Sequence, residues 1–208
     1  MRVLAAIFRR GARLRPGRLL GLVLAVAALA AVAAGCAPGR DLPPLPPGSG
    51  EYRLGPGDTV RLIVFGEDPL TGEFRVNDAG NIAVPLLGGV HAAGLTSAEL
   101  EVAMAAALQR ARLLRAPSVA AEVTGYRPIF VLGEVNKPGQ YPYQPGMTVV
   151  TAAAVAGGFT YRAVEDYVSV VRTLPGPGAA AGTAVEGKAT RQSFLQPGDV
   201  VTVFERRF

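Results

Sequence analysis

A seven-residue pattern, Leu-x-Pro-Gly-Asp-x-Val, occurs twice in the chain, at Leu54 and again at Leu195. Pro followed by Gly sets a type II turn, in which the glycine takes positive φ, so Gly55-Pro56-Gly57-Asp58 and Pro197-Gly198-Asp199 read as turns that launch strands. Asp58 then braces its turn rather than acting as a catalyst. The runs that follow, Thr59 to Phe65 and Val200 to Phe204, are β-branched and aromatic. In the first of them Val60, Leu62 and Val64 share a face. Two copies establish a shared turn into a strand, not a repeat fold.

Between the two turns the elements are short. Glu73 to Val76 and Ile82 to Pro85, joined by Asn77-Asp78-Ala79-Gly80-Asn81, read as a hairpin. Thr96-Ser97-Ala98-Glu99 is a capping box, and Leu100, Met104, Leu108 and Ala111 recur at helical spacing up to a stop near Arg115. Ser118 to Thr124 alternates and returns as a strand to the same sheet. A second unit starts with the strand Ile129 to Leu132, turns at Asn136-Lys137-Pro138-Gly139, and continues through Gln140-Tyr141-Pro142-Tyr143. Thr148 to Ala156 is apolar nearly all round, a short buried helix closed by Gly157-Gly158. Tyr167 to Thr173 is a strand, and the Gly- and Ala-rich stretch from Pro175 to Lys188 reads as a mobile loop. The fold class is therefore α+β, in two small domains at 51–125 and 126–208.

The formal charge of +5 and pI near 9.8 raise nucleic acid as a partner. The excess sits at the front, where residues 1–35 hold six arginines and no acid, leaving 15 basic against 16 acidic residues from Cys36 onward. Without a basic field the folded part has little with which to hold a phosphate backbone, and no nucleic-acid role is expected. Residues 19–34 form an uncharged run of 16, short for a bilayer span and suited to a secretory signal. The small residues before Cys36 resemble the lipobox of bacterial lipoproteins, which implies a signal peptide at 1–35, a diacylglycerol on the Cys36 thiol and, with Ala37 next, delivery to the outer membrane facing the periplasm. The competing reading is an uncleaved anchor helix with a buried cysteine. Residues 36–50, with five prolines after Cys36, read as a polyproline-type tether reaching roughly 40 Å.

Three segments together carry a family resemblance: Tyr52 to Asp58, Val131 to Tyr141, and Ala153 to Thr160. In order and spacing they resemble the polysaccharide export lipoproteins of Gram-negative envelopes, the Wza type. The first resembles the start of the export domain, and the other two resemble the soluble-ligand-binding β-grasp (SLBB) domain. The resemblance implies a homo-oligomeric ring that passes a capsule or exopolysaccharide, above an inner-membrane co-polymerase that regulates chain length. Members with a C-terminal amphipathic helix line an outer-membrane pore with it. Only Glu205-Arg206-Arg207-Phe208 follows the final strand here, so a separate outer-membrane barrel is expected to complete the path.

One cysteine and one histidine argue against an internal disulfide and a Cys/His zinc cluster, and neither a metal nor a cofactor is expected. Glu67, Asp68, Glu73, Asp78, Glu165 and Asp166 show no spacing that singles out a glycosidase pair, so no enzyme is expected. His91 reads as a surface or loop residue after Gly88-Gly89. Gly133, Gly139, Gly157 and Gly158, with Pro138, read as backbone-geometry positions, since no nucleotide fingerprint surrounds them. Tyr141, Tyr143 and Tyr161 are candidate saccharide contacts, weighed against half-buried strand packing. Two functions remain: a structural component of a polysaccharide secretion channel, or a monomeric periplasmic lipoprotein that binds a soluble saccharide or peptidoglycan through the β-grasp domain.

Overall fold

The computed structural model describes residues 38–47, 50–174 and 182–206. The expected signal peptide and Cys36 lie outside the described residues.

The first domain opens with β1 (Thr59–Val64), the strand launched by the first Pro-Gly-Asp turn. It pairs antiparallel on one side with β2 (Gly72–Arg75) and on the other with β5 (Val119–Gly125), giving the order β2-β1-β5. β3 (Asn81–Val84) and β4 (Gly88–His91) form a separate two-stranded ribbon. The expected pairing of 73–76 with 82–85 is thus corrected. The Asn77 turn is present, with Asn77 N donating to Asn81 O and Asn81 N to Asn77 Oδ1, both at 2.9 Å. Pairing is diverted because Val76 is already committed, donating to Asp58 O and accepting from Gly57 N at 2.8 Å each. Leu86 and Gly88, at φ 65° and 76°, reverse the chain so that β4 takes the place at β3. His91 consequently lies in a strand and not in a loop.

Helix α1 (Ser97–Arg110) begins with the expected box: Thr96 Oγ1 accepts from Glu99 N, and Thr96 N donates to Glu99 Oε2. It lies on β5 and on β4 of the ribbon and buries Leu100, Met104 and Leu108 in the first domain's core. It stops five residues before Arg115 because Arg112 adopts φ 58°. Leu113 N then reaches Leu108 O and Arg112 N reaches Gln109 O, a Schellman closure without its usual glycine.

The second domain is a five-stranded mixed sheet with one helix packed on it. Its strands are β6 (Ile129–Gly133), β7 (Gly139–Tyr141), β8 (Tyr167–Leu174), β9 (Thr183–Thr190) and β10 (Val200–Val203), in the order β7-β6-β10-β8-β9, with β10 parallel to β6. α2 (Val149–Val155) lays Val149, Ala152 and Ala153 on Ile129, Val131, Val170 and Val201. Residues 183–188 were expected in a loop, but β9 pairs with β8 along its whole length, from Tyr167↔Thr190 to Leu174↔Thr183. Its core-facing positions are Gly187 and Ala189, too small to give a hydrophobic alternation.

The expected free tether is also corrected. Residues 38–47 lie against the second domain: Leu45 N donates to Lys188 O at 2.9 Å, Lys188 N to Pro43 O at 2.7 Å, and Tyr167 Oη to Pro38 O at 3.1 Å. Proline lacks a donor but keeps its carbonyl, so a proline-rich segment still accepts hydrogen bonds. The segment has a fitted seat, because Leu45 occupies the space a side chain at Gly187 would need.

Glycine positions divide sharply. Gly133 adopts φ 82° and a Cβ there would run into the Val203 carbonyl, whereas Gly139 is not left-handed and a Cβ there meets nothing within 4 Å. Gly133→Ala is expected to lower unfolding free energy by about 2 to 4 kcal/mol, and Gly139→Ala to change it by less than about 1 kcal/mol. Urea denaturation of the two variants beside wild type measures both.

Candidate functional site

The two Pro-Gly-Asp turns come together around one arginine. Gly57 and Gly198 have φ 95° and 87°, and each aspartate accepts from the amide three residues before it: Gly55 N to Asp58 Oδ2 and Gln196 N to Asp199 Oδ2, both at 2.8 Å. Both aspartates are buried. Each therefore needs further donors, and each finds an arginine.

Asp58 takes Arg127 N at 2.9 Å on Oδ1, with Arg127 Nε at 3.5 Å, and Tyr52 Oη donates to its Oδ2. Arg127 runs across both turns. Its guanidinium fills the space a side chain at Gly55 would need, and its Cδ and Nε pass 4.0 and 3.8 Å from where a Cβ on Gly198 would stand. Gly198 N donates to Pro128 O and Phe130 N to Asp199 O. Tyr126, next in the chain, sits edge-on between Tyr52 and Tyr143, with ring centroids 5.1 and 5.5 Å away. Burial pushes the Tyr52 phenol well above the usual tyrosine range, with Asp58 raising it further and Arg127 opposing. Burial also raises Tyr143.

Asp199 is held by Arg172, whose Nε donates to Oδ1 at 3.0 Å and Nη2 to Oδ2 at 2.7 Å. The same guanidinium donates to Phe194 O and, through Nη1, to Pro46 O, both at 3.0 Å. Arg172 thus fastens the second turn, the chain leading into it and the proline segment together. Sequence reasoning missed Arg127 and Arg172. Arg172 left a signal, since it shares strand parity with the buried Val168 and Val170.

The segments Val131–Tyr141 and Ala153–Thr160 also meet. Asn136 Nδ2 donates to Gly157 O at 2.8 Å, Asn136 N to Gly158 O at 3.0 Å, Lys137 N to Ala156 O at 2.8 Å, and Thr160 Oγ1 to Glu134 Oε2 at 2.5 Å. The left-handed Gly157 and Gly158, at φ 83° and 88°, bend the end of α2 so that its carbonyls face this loop. Pro138 lies in the same loop, before Gly139.

The three candidate tyrosines do different things. Tyr143 belongs to the aromatic ladder, and Tyr141 is half-buried with its hydroxyl donating to Lys137 O at 2.5 Å. Tyr161 stands 87% exposed. No ring contact joins the three among the described residues. His91 lines an open groove of about 620 Å³ beside Leu87, Val90, Leu95, Ala107 and Arg110. Its Nδ1 lies 3.4 Å from Asn81 Oδ1. Among the described residues no group of three or more His, Cys, Asp or Glu is placed to hold a metal ion, and no helix is long and apolar enough to cross a membrane.

The architecture is that of a two-domain α+β protein whose domains are fastened at the Asp58–Arg127 contact. The family described as "Polysaccharide biosynthesis/export protein" matches residues 46–124, the SLBB domain family matches 128–185, and the chain belongs to this polysaccharide export family with an SLBB domain. It is 30% identical over 178 residues to the exopolysaccharide production protein ExoF of Rhizobium meliloti (strain 1021), covering 77% of this chain and 40% of that protein. It is 34% identical over 105 residues to the EPS I polysaccharide export outer membrane protein EpsA of Ralstonia nicotianae, covering 49% and 27%. The polysialic acid transport protein KpsD of Escherichia coli is 27% identical over 117 residues, 52% and 20% of the two chains. The aligned part thus spans less than half the length of each of these relatives.

Asp199→Ala leaves Arg172 charged and buried, and is expected to cost about 3 to 5 kcal/mol in chemical denaturation. The double change Arg172→Met with Asp199→Leu is expected to cost less than the single one. Because Tyr52 holds its proton in the fold, its contribution is complete below its unfolded value of about 10 and declines as pH rises above it. Stability measured between neutral and strongly alkaline pH should therefore fall less steeply in Tyr52→Phe than in wild type; equal slopes would refute this role for Tyr52.

Proposed function

We propose that this protein is a lipid-anchored, ring-forming component of a channel that exports a capsule or exopolysaccharide, working above an inner-membrane co-polymerase. The observation that carries the reading is the fastening of an export domain to an SLBB domain through Asp58, Arg127 and Tyr52. A subunit fixed in this way keeps one geometry, as a closed symmetric assembly requires. The relatives ExoF, EpsA and KpsD, named for exopolysaccharide production, polysaccharide export and polysialic acid transport, support the same substrate class.

Surface chemistry supports self-association. Phe130 and Leu132 are 39% and 43% exposed on the face of the second sheet that turns away from α2, and Phe65, Leu86 and Val102 are exposed on the first domain. Lipid on Cys36 would hold the ring at the outer membrane. A monomeric saccharide-binding lipoprotein would need no such apolar faces.

Protein extracted in mild detergent is expected to behave as a large symmetric oligomer in light scattering, and Leu132→Glu to shift it toward monomer without lowering its melting temperature. Cells lacking the protein should lose surface polysaccharide, and Cys36→Ser should abolish incorporation of a palmitate analogue. A wild type that stays monomeric at high concentration would favour the saccharide-binding lipoprotein instead.

A further inference from the structure

The first domain is two layers thick, and each layer has a bare outer side. The sheet β2-β1-β5 covers the core with Val60, Leu62 and Val64 and turns Arg61, Ile63 and Ala120 outward. Ile63 stands 44% exposed there, and Phe65, just past the strand, 84%. Helix α1 covers the core from the other side with Leu100, Met104 and Leu108. Its outward stripe, Ala98, Val102, Ala105 and Gln109, holds no charge, and from Val102 to Leu108 the helix has no polar residue on any side. A helix that is apolar all round is normally covered all round. Helix propensity accounts for the alanines but not for Val102, which is β-branched and 71% exposed.

The two bare sides match in length and in charge. By residue count α1 is about 21 Å long and β1 about 20 Å. Both run outward from the interdomain clasp: Thr59 follows Asp58, and Leu95, just before α1, accepts from Leu54 N beside the same turn. At the far end the helix side carries Arg110, Arg112 and Arg115, whereas the sheet side carries Glu67 and Asp68 in the turn after β1. None of these five has an ion-pair partner among the described residues. Nearer the clasp the sheet side is balanced, with Arg61 and Arg75 against Glu73 and Glu122. On the helix side Glu99 is paired with Arg53, which leaves Glu101, whose carboxylate accepts from Ala121 N at 2.9 Å. A second copy, turned about an axis parallel to β1, sets the three arginines of one helix side against the two acids of the next sheet side.

We infer that α1 of one copy packs on the bare sheet face of the next, with Val102 against Ile63 and Phe65. The contact joins two different surfaces on opposite sides of one domain, so it repeats head to tail and closes into a ring when the rotation does. The inference rests on the ring-forming reading above, and names the surfaces through which the subunits meet.

Within one copy Val102 and Ile63 face away from each other on opposite layers, so cysteines at the two positions can be joined only between copies. Both positions are exposed, so folding should be undisturbed. Full-length protein carrying Val102→Cys with Ile63→Cys, extracted in mild detergent and oxidised with copper phenanthroline, is expected to give a ladder of dimers, trimers and higher multiples on a non-reducing gel. Wild type, with Cys36 as its one cysteine, and each single variant should stay at monomer mass. Val102→Glu should abolish the oligomer in light scattering while the melting temperature is unchanged, and adding Ile63→Lys should restore it. Dimers from Val102→Cys alone, absent from wild type, would mean a two-fold contact between like surfaces and overturn the inference, as would an oligomer that survives Val102→Glu. The two levels separate cleanly: a wild type that scatters as a large oligomer while the double variant gives no ladder refutes the helix-on-sheet contact and leaves the ring, whereas a monomeric wild type refutes both.

Discussion

A carboxylate in a protein interior must be surrounded by donors, and the two buried aspartates, Asp58 and Asp199, organise the chain around that requirement. Each is supplied first by its own turn, through the amide three residues back, which leaves one oxygen to be matched from elsewhere. Asp58 recruits the backbone and side chain of Arg127 at the start of the second domain, and so joins the domains. Asp199 recruits Arg172 from the neighbouring strand, and Arg172 in turn takes up Pro46. The same local motif thus makes an interdomain clasp in one copy and an intradomain one in the other. What differs is where the nearest arginine lies.

This division explains how much the sequence discloses. Turn residues and the capping box announce themselves because their constraints are local: Thr96 with Glu99, or Pro56 with Gly57, need only neighbours within a few positions. The core of β1 and α1 is legible for the same reason, since Val60, Leu62 and Val64 or Leu100, Met104 and Leu108 repeat with the period of their element. Pairings depend on competition between distant segments. Val76 is bonded to the Gly57 turn, a fact that no window around the Asn77 turn contains, and so β3 is left for β4.

The strand β9 and the proline segment were concealed together. Gly187 and Ala189 look like loop composition until Leu45 is placed over Gly187, and Leu45 among prolines looks like linker until β9 is placed under it. Each explains the other's composition, and neither does so alone. The candidate site behaves likewise. Arg127 and Arg172 are ordinary residues in the sequence, and their importance comes from carboxylates 69 and 27 positions away.

The outermost strand of a sheet invites the addition of another chain, because its free amides and carbonyls repeat at strand spacing. Beyond β9 that invitation is closed in an unusual way. Of the five residues Pro43-Pro44-Leu45-Pro46-Pro47, only Leu45 has an amide hydrogen, and Lys188 already accepts it. The segment can take hydrogen bonds from the sheet but offers no donor to anything outside it. On its β9 side the second domain therefore ends in a one-sided strip of backbone, which accepts from the sheet and stops its growth at that edge.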